Sequence, residues 1–266
     1  MHHLIEEVYN SVESNDQELL LGYLERYALS SDDKKSYKFL QKVNKEKNVK
    51  SEVDEKEDFD KGILSIKPIN TVSALASTYS GTTAASWAYN NYNKYSTDFP
   101  AFTEWGSDCT NFVSQAMYHG GMAMGGDWYI YKKNDKYLVP KSATELDYSW
   151  DLADPSPWIS VEQFRKYWDG RSVVNSFSRD YYESNHTTIY SSSIYKGDVV
   201  VFHQGVAGWI TTPTHLMIIS GYDTANRDFE LAGHSNERRD LPLLDAIDVS
   251  GGNYDYFEIF ELPSSN

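Results

Sequence analysis

The chain has one thiol, Cys109, in the run Trp105-Gly106-Ser107-Asp108-Cys109-Thr110-Asn111-Phe112-Val113-Ser114-Gln115. Gly106-Ser107-Asp108 is a breaker and cap ahead of an apolar-periodic stretch, which predicts a helix over 108–119 with Cys109 in its first turn. Unpaired N–H groups and the helix dipole favour an anion there, so a thiol at that place ionises below its free value of about 8.5. Asp108 opposes this by charge, and is expected to cap the helix with its oxygens turned to backbone N–H groups. The plain alternative is a cysteine that packs as a small buried hydrophobe.

Seven histidines are available to such a thiol. His203, His215 and His234 fall on predicted strands; His215 opens Leu216-Met217-Ile218-Ile219-Ser220, and His234 follows Phe229-Glu230-Leu231-Ala232-Gly233. A hairpin whose turn is centred midway between them, inside 223–228, sets His215 opposite His234, on one face and within side-chain reach. These residues make a nucleophile, a base and an orienter: Cys109, His215 and His234. The oxyanion of an attacked carbonyl would be held by the Cys109 N–H and a second donor, for which Thr110, Asn111, Ser114 and Gln115 are the polar candidates on the same helix. Cys109, His215 and His234 are also permissible zinc ligands, with water as a fourth. The helix-start thiol is explained without metal, so neither a metal nor a cofactor is expected.

Composition narrows the setting. The 266 residues carry 24 Lys+Arg against 39 Asp+Glu, a net charge of -15, which repels phosphate backbones and argues against a nucleic-acid partner. A single cysteine forms no internal disulfide. Mean hydropathy is -0.57 and no apolar run approaches a spanning length, so no transmembrane segment is expected. Met1-His2-His3, followed by Glu6-Glu7, does not read as a secretory signal.

Residues 1–70 read as a helical, charged N-terminal segment: amphipathic helices before and after Asn15-Asp16, then charge-dominated sequence from Ser30 to Lys61. Its apolar helix faces need a partner, either the following domain or another protein. The boundary falls near 68–80, and 80–266 reads as one domain. Helices are expected over 83–95, 108–119 and 161–168, and strands over 198–203, 215–222, 229–233 and 254–262. Helices first and strands second indicate an α+β fold with a central antiparallel sheet.

The run Asp108-Cys109-Thr110-Asn111-Phe112-Val113-Ser114-Gln115, with Gly120-Gly121 after it, resembles the signature of the bacterial putative amidase domain. That family is a papain-like branch related to the NlpC/P60 and CHAP cell-wall cysteine hydrolases. The resemblance continues at Tyr148-Ser149-Trp150, Lys196-Gly197-Asp198-Val199-Val200, Thr214-His215, Gly221-Tyr222-Asp223 and His234-Ser235, covering about 80–250. It implies a papain-like fold with its nucleophile, Cys109, at a helix N-terminus, His215 as base, and a polar third residue mapped to His234. Relatives tend to carry Asp shortly after that histidine, where this chain has Asn236-Glu237, so the third role falls to His234 or to Asn236. Asp108, Asn111 and Gln115 support the nucleophile motif. The implied activity is that of a cysteine amidase or peptidase on an amide of bacterial peptidoglycan or another peptide, in a secreted or envelope-associated protein. The competing reading is a non-catalytic wall- or glycan-binding module in which Trp105, Trp128, Trp150, Trp158 and Trp168 form stacking platforms.

Overall fold

A computed structural model describes residues 63–67, 79–105, 108–206, 210–234, 237–249 and 256–263. In chain order its elements are β1 (Ile63–Lys67), α1 (Gly81–Asn91), α2 (Cys109–His119), β2 (Ile130–Lys132), α3 (Ala143–Ser149), β3 (Trp150–Leu152), α4 (Val161–Trp168), β4 (Val173–Ser178), α5 (Arg179–Ile189), β5 (Val199–Val206), β6 (Ile210–Asp223), β7 (Asp228–Gly233), β8 (Arg238–Pro242), α6 (Leu243–Val249) and β9 (Tyr256–Glu261). The fold is α+β. Seven strands form an antiparallel sheet in the order β1-β4-β9-β5-β6-β7-β8, and β2 pairs with β3 apart from it.

Both faces of the sheet are covered. Val199, Val201, Leu216, Ile218, Ala232 and Phe260 pack against α1, α2 and α4. Their neighbours in sequence, Val200, Phe202, Met217, Ile219, Leu231 and Ile259, pack against α5 and α6. A strand buried on both sides needs apolar residues at every position, which is why 199–202 reads as a continuous run.

Sequence dictates several helix starts directly. Ser80, Ser142, Ser160 and Ser178 each accept a hydrogen bond from the backbone N–H three residues on, capping α1, α3, α4 and α5. The start of α1 lies against the turn before β5: a Cβ on Gly197, whose φ is +93°, would come 2.2 Å from Gly81 Cα. Tyr79 Oη donates to Gly197 O at 2.7 Å. Asp198, next in that turn, accepts from the N–H groups of Tyr195 and Leu262 at 2.7 and 2.9 Å, and burial pushes its carboxyl up. The Lys196-Gly197-Asp198 motif thus locks α1, β5 and the end of β9 together.

Three expectations change. The expected helix over 83–95 runs over Gly81–Asn91, and β1 lies within the stretch read as a charged N-terminal segment, pairing with β4 at the sheet edge. The hairpin register is displaced. Asp223 pairs with Asp228, and Ile218 with Ala232, so continuing the ladder sets Leu216, not His215, opposite His234. The helices expected before residue 30 lie outside the described residues.

Candidate active site

Cys109 is the first residue of α2 and is 1% exposed. Its Sγ lies 3.9 Å from Thr110 Oγ1. Asp108 precedes the helix but makes no side-chain cap, contrary to the expectation. Its carboxylate instead joins three segments. Oδ1 accepts from Phe102 N and from Asn111 Nδ2, both at 2.9 Å, and Oδ2 accepts from His234 Nδ1 at 2.7 Å. A buried carboxylate needs partners for most of its lone pairs, and these three donors supply them.

His234 is 2% exposed and lies flat on Phe112, with ring centroids 4.1 Å apart. Its second nitrogen, Nε2, faces Asn91 O at 3.4 Å. Tyr95 closes the outer side at 4.6 Å and donates to Glu237 Oε1 at 3.3 Å. Burial, with the charges of Asp108 and Glu237, pushes the Tyr95 hydroxyl up to about 12.

His215 belongs to a different neighbourhood. It is the ladder partner of Phe202 and its ring stacks on that side chain at 6.1 Å. Cross-strand partners share a face, and Phe202 lies on the α5/α6 face. His234 packs on the α2 face, so the two histidines leave the sheet on opposite sides. The displaced register is the cause: one residue of slip reverses the face of a side chain. The same divergence keeps Cys109, His215 and His234 from acting as one zinc ligand set, and no group of three His, Cys, Asp or Glu among the described residues is placed to hold a metal. Asn236 lies outside the described residues.

The polar residues of α2 divide. Asn111 Nδ2 also donates to Pro100 O at 2.7 Å, while its Oδ1 accepts from Trp158 Nε1 at 3.0 Å. Ser114 Oγ donates to Trp158 O and accepts from Trp128 Nε1, each at 3.1 Å. Both are fully engaged in holding α2 to the segment before α4, which removes them as oxyanion donors. Gln115 is buried but lies six residues along the helix, about 9 Å from Cys109. Thr110 stays beside the sulfur.

Of the five tryptophans offered as stacking platforms, Trp128, Trp150, Trp158 and Trp168 are at most 1% exposed, and only Trp105, at 43%, presents a surface. They are core, and a platform reading has lost its basis. Their indoles fill the space under α2 and α4, with Trp158 sandwiched between Phe99 and Trp128 at 5.6 and 4.7 Å.

One constellation went unassigned in the sequence. His203, 3% exposed, places Nε2 at 3.0 Å from Glu258 Oε2, and Arg165 of α4 grips both Glu258 oxygens at 2.5 and 2.6 Å. Burial would raise the Glu258 carboxyl, but the hydrogen bonds and charges of His203 and Arg165 outweigh it and hold the group at about 2. Burial pushes the His203 imidazole down, against the pull of Glu258. The signal was present: His203 continues the face of Val199 and Val201, and Glu258 that of Phe260, so each is a polar residue on an apolar stripe.

An antiparallel sheet between two helical layers, with a thiol at a helix start and a buried acid–imidazole pair beside it, defines an α+β domain with the parts of a hydrolytic centre. The chain belongs to the putative amidase domain family, whose model matches residues 78–256, more than half its length. Membership points to amide hydrolysis, the chemistry of a hydrolase acting on C–N bonds. No curated protein and no solved structure matches the chain. Among the described residues no helix is long and apolar enough to cross a membrane.

Proposed function

We propose that the protein is a cysteine amidase that cleaves an amide of bacterial cell-wall peptide through a Cys109 acyl-enzyme, in a papain-like domain working outside the membrane. The observation that carries the mechanism is the place of the chain's one cysteine, at the first position of α2 and next to the Asp108–His234 pair. Helix-start amides favour the thiolate and supply the Cys109 N–H to the oxyanion. His234 acts here as a positioning residue. Its bond to Asp108 fixes the start of α2.

The substrate class and the envelope location rest on the resemblance to cell-wall hydrolases; His215, which that resemblance implies as base, leaves the sheet on the face away from α2. Residues 1–70 would then act as an appendage ahead of the catalytic domain. Purified peptidoglycan incubated with the protein should release fragments with a new carboxyl and a new amine, identified by mass spectrometry. Cys109→Ala should abolish release while its unfolding transition stays within about 1 kcal/mol of wild type. Full activity in that variant would overturn the cysteine mechanism.

A further inference from the structure

Glu258, Val201 and Leu216 form one row by ladder pairing across β9, β5 and β6 and face the α2/α4 layer, and extending the β6–β7 ladder from Ile218–Ala232 brings position 234 into the same row. His203 stands one step further along that face of β5. There β6 bulges, so that Pro213 is the ladder partner of His203 while Thr214 is extra. Thr214 Oγ1 is buried and has no hydrogen-bond partner among the described residues. The row ends at His234, bonded to the residue before Cys109. One strand, β6, lies between His203 and His234, and with the step along β5 the two positions are about 12 Å apart, a gap that the first turn of a helix lying over β6 can fill. A second link closes the same space from above, since Asn111 in the first turn of α2 is bonded to Trp158, three residues before α4, which carries Arg165.

We propose that His203, oriented by Glu258, is the general base for Cys109, with Arg165 holding both Glu258 oxygens in place. The proposal rests on the cysteine reading above and replaces His215 in it. With Nε2–H donated to Glu258, Nδ1 is the nitrogen that accepts the thiol proton as sulfur attacks the amide carbonyl. The same proton passes to the leaving nitrogen as the C–N bond breaks and the amine departs. Water then attacks the thioester, giving its proton to Nδ1; the C–S bond breaks, a carboxylic acid leaves, and the proton returns to sulfur. A carboxylate behind the ring stabilises the imidazolium at each stage, the arrangement by which an acid, an imidazole and a nucleophile act together.

Two measurements test this without knowledge of the natural amide. The first is the pH profile of Cys109 alkylation by iodoacetamide. Wild type should show a limb near neutrality set by an imidazole; His203→Gln should lose that limb and react only in the alkaline range of an ordinary thiol, while His215→Gln keeps it. On peptidoglycan, His203→Gln should also lose turnover by ~10²-fold or more. The second needs no variant: imidazole ¹⁵N spectra of wild type before and after Cys109 is blocked should show the Nδ1 signal of the Glu258-bonded ring moving. Loss of the neutral limb in His215→Gln and not in His203→Gln, an unmoved Nδ1 signal, or a wild-type thiol without a neutral limb would each overturn the assignment. The first of these leaves Cys109 catalysis standing, whereas turnover surviving in Cys109→Ala defeats the cysteine reading itself.

Discussion

Asp108 Oδ2 lies 2.7 Å from His234 Nδ1, although 126 positions separate the two residues and both are nearly inaccessible to water. The contact ties the start of α2 to the end of β7. It also decides the use of two residues that sequence alone offers to other tasks, a helix cap and an orienter of His215. Burial makes the bond compulsory: an unpaired carboxylate or imidazole there would carry its full desolvation cost.

That pairing predicts strong coupling. Asp108→Asn and His234→Gln should each destabilise the protein by about 2–4 kcal/mol, because each leaves a buried partner short of a hydrogen bond. The double variant should lose clearly less than the sum, by about 1–3 kcal/mol in a double-mutant cycle of denaturant unfolding. Strict additivity would mean that the bond contributes nothing beyond its separate parts.

Acid should act through Glu258 and His203. The folded carboxyl of Glu258 titrates at about 2, below its ordinary value of 4.5, so its contribution is present above the ordinary value and is lost as pH falls through about 2. His203 adds to the same trend higher up: its folded pKa is lowered from 6.5, so below that value the unfolded chain takes up a proton that the folded one resists. Stability should therefore decline from near 6.5 downward and more steeply below 4.5. Glu258→Gln should flatten the lower part of the curve while costing about 3–5 kcal/mol at neutral pH, since Arg165 loses its partner. Unfolding midpoints measured across the acid range check both parts.

Periodicity made α2, α4 and the four central strands legible, because each keeps a regular apolar stripe against the core. The stretch from β4 through α5 stayed hidden. Val173-Val174-Asn175-Ser176-Phe177-Ser178 mixes polar residues into a strand, and Arg179–Ile189 buries only Tyr182 and Ile189. The site was half legible for a different reason. Local pattern gave Cys109 its place, but the relation of His215 to His234 depended on a register that the turn controls. Asp223 closes on Asp228, two residues later than a turn centred midway between the two histidines would have it, and the irregularity between Ile219 and Gly221 recovers one of the two. Gly221 allows that irregularity, since a Cβ there would meet Glu230 Oε2 at 2.2 Å.

Gly197→Ala tests the lock between α1 and β5. The residue has a φ of +93°, and an added Cβ would meet the Cα, C and O of Gly81 at 2.2–2.7 Å, all backbone atoms that cannot turn aside. Strain and displacement together should cost about 2–4 kcal/mol, measured by thermal or denaturant unfolding. Gly170→Ala is the control. Its φ is +81° but nothing lies within 4 Å of the added atom, so only the conformational part, about 1 kcal/mol, should be lost.

Asn111 is placed to be judged by graded removal. It is 1% exposed and its amide joins Pro100, Asp108 and Trp158, so Asn111→Ala strands an indole N–H, a carbonyl and part of a carboxylate at once. Trp158→Phe removes only the indole donor and keeps a ring between Phe99 and Trp128. The first should cost about 3–4 kcal/mol and the second about 1–2, each read from denaturant unfolding. Were Asn111 an oxyanion donor, its removal would instead slow hydrolysis with little loss of stability. Because its two N–H bonds are already given to Pro100 and Asp108, the expected order is stability lost first, with activity falling only as far as the start of α2 loosens around Cys109.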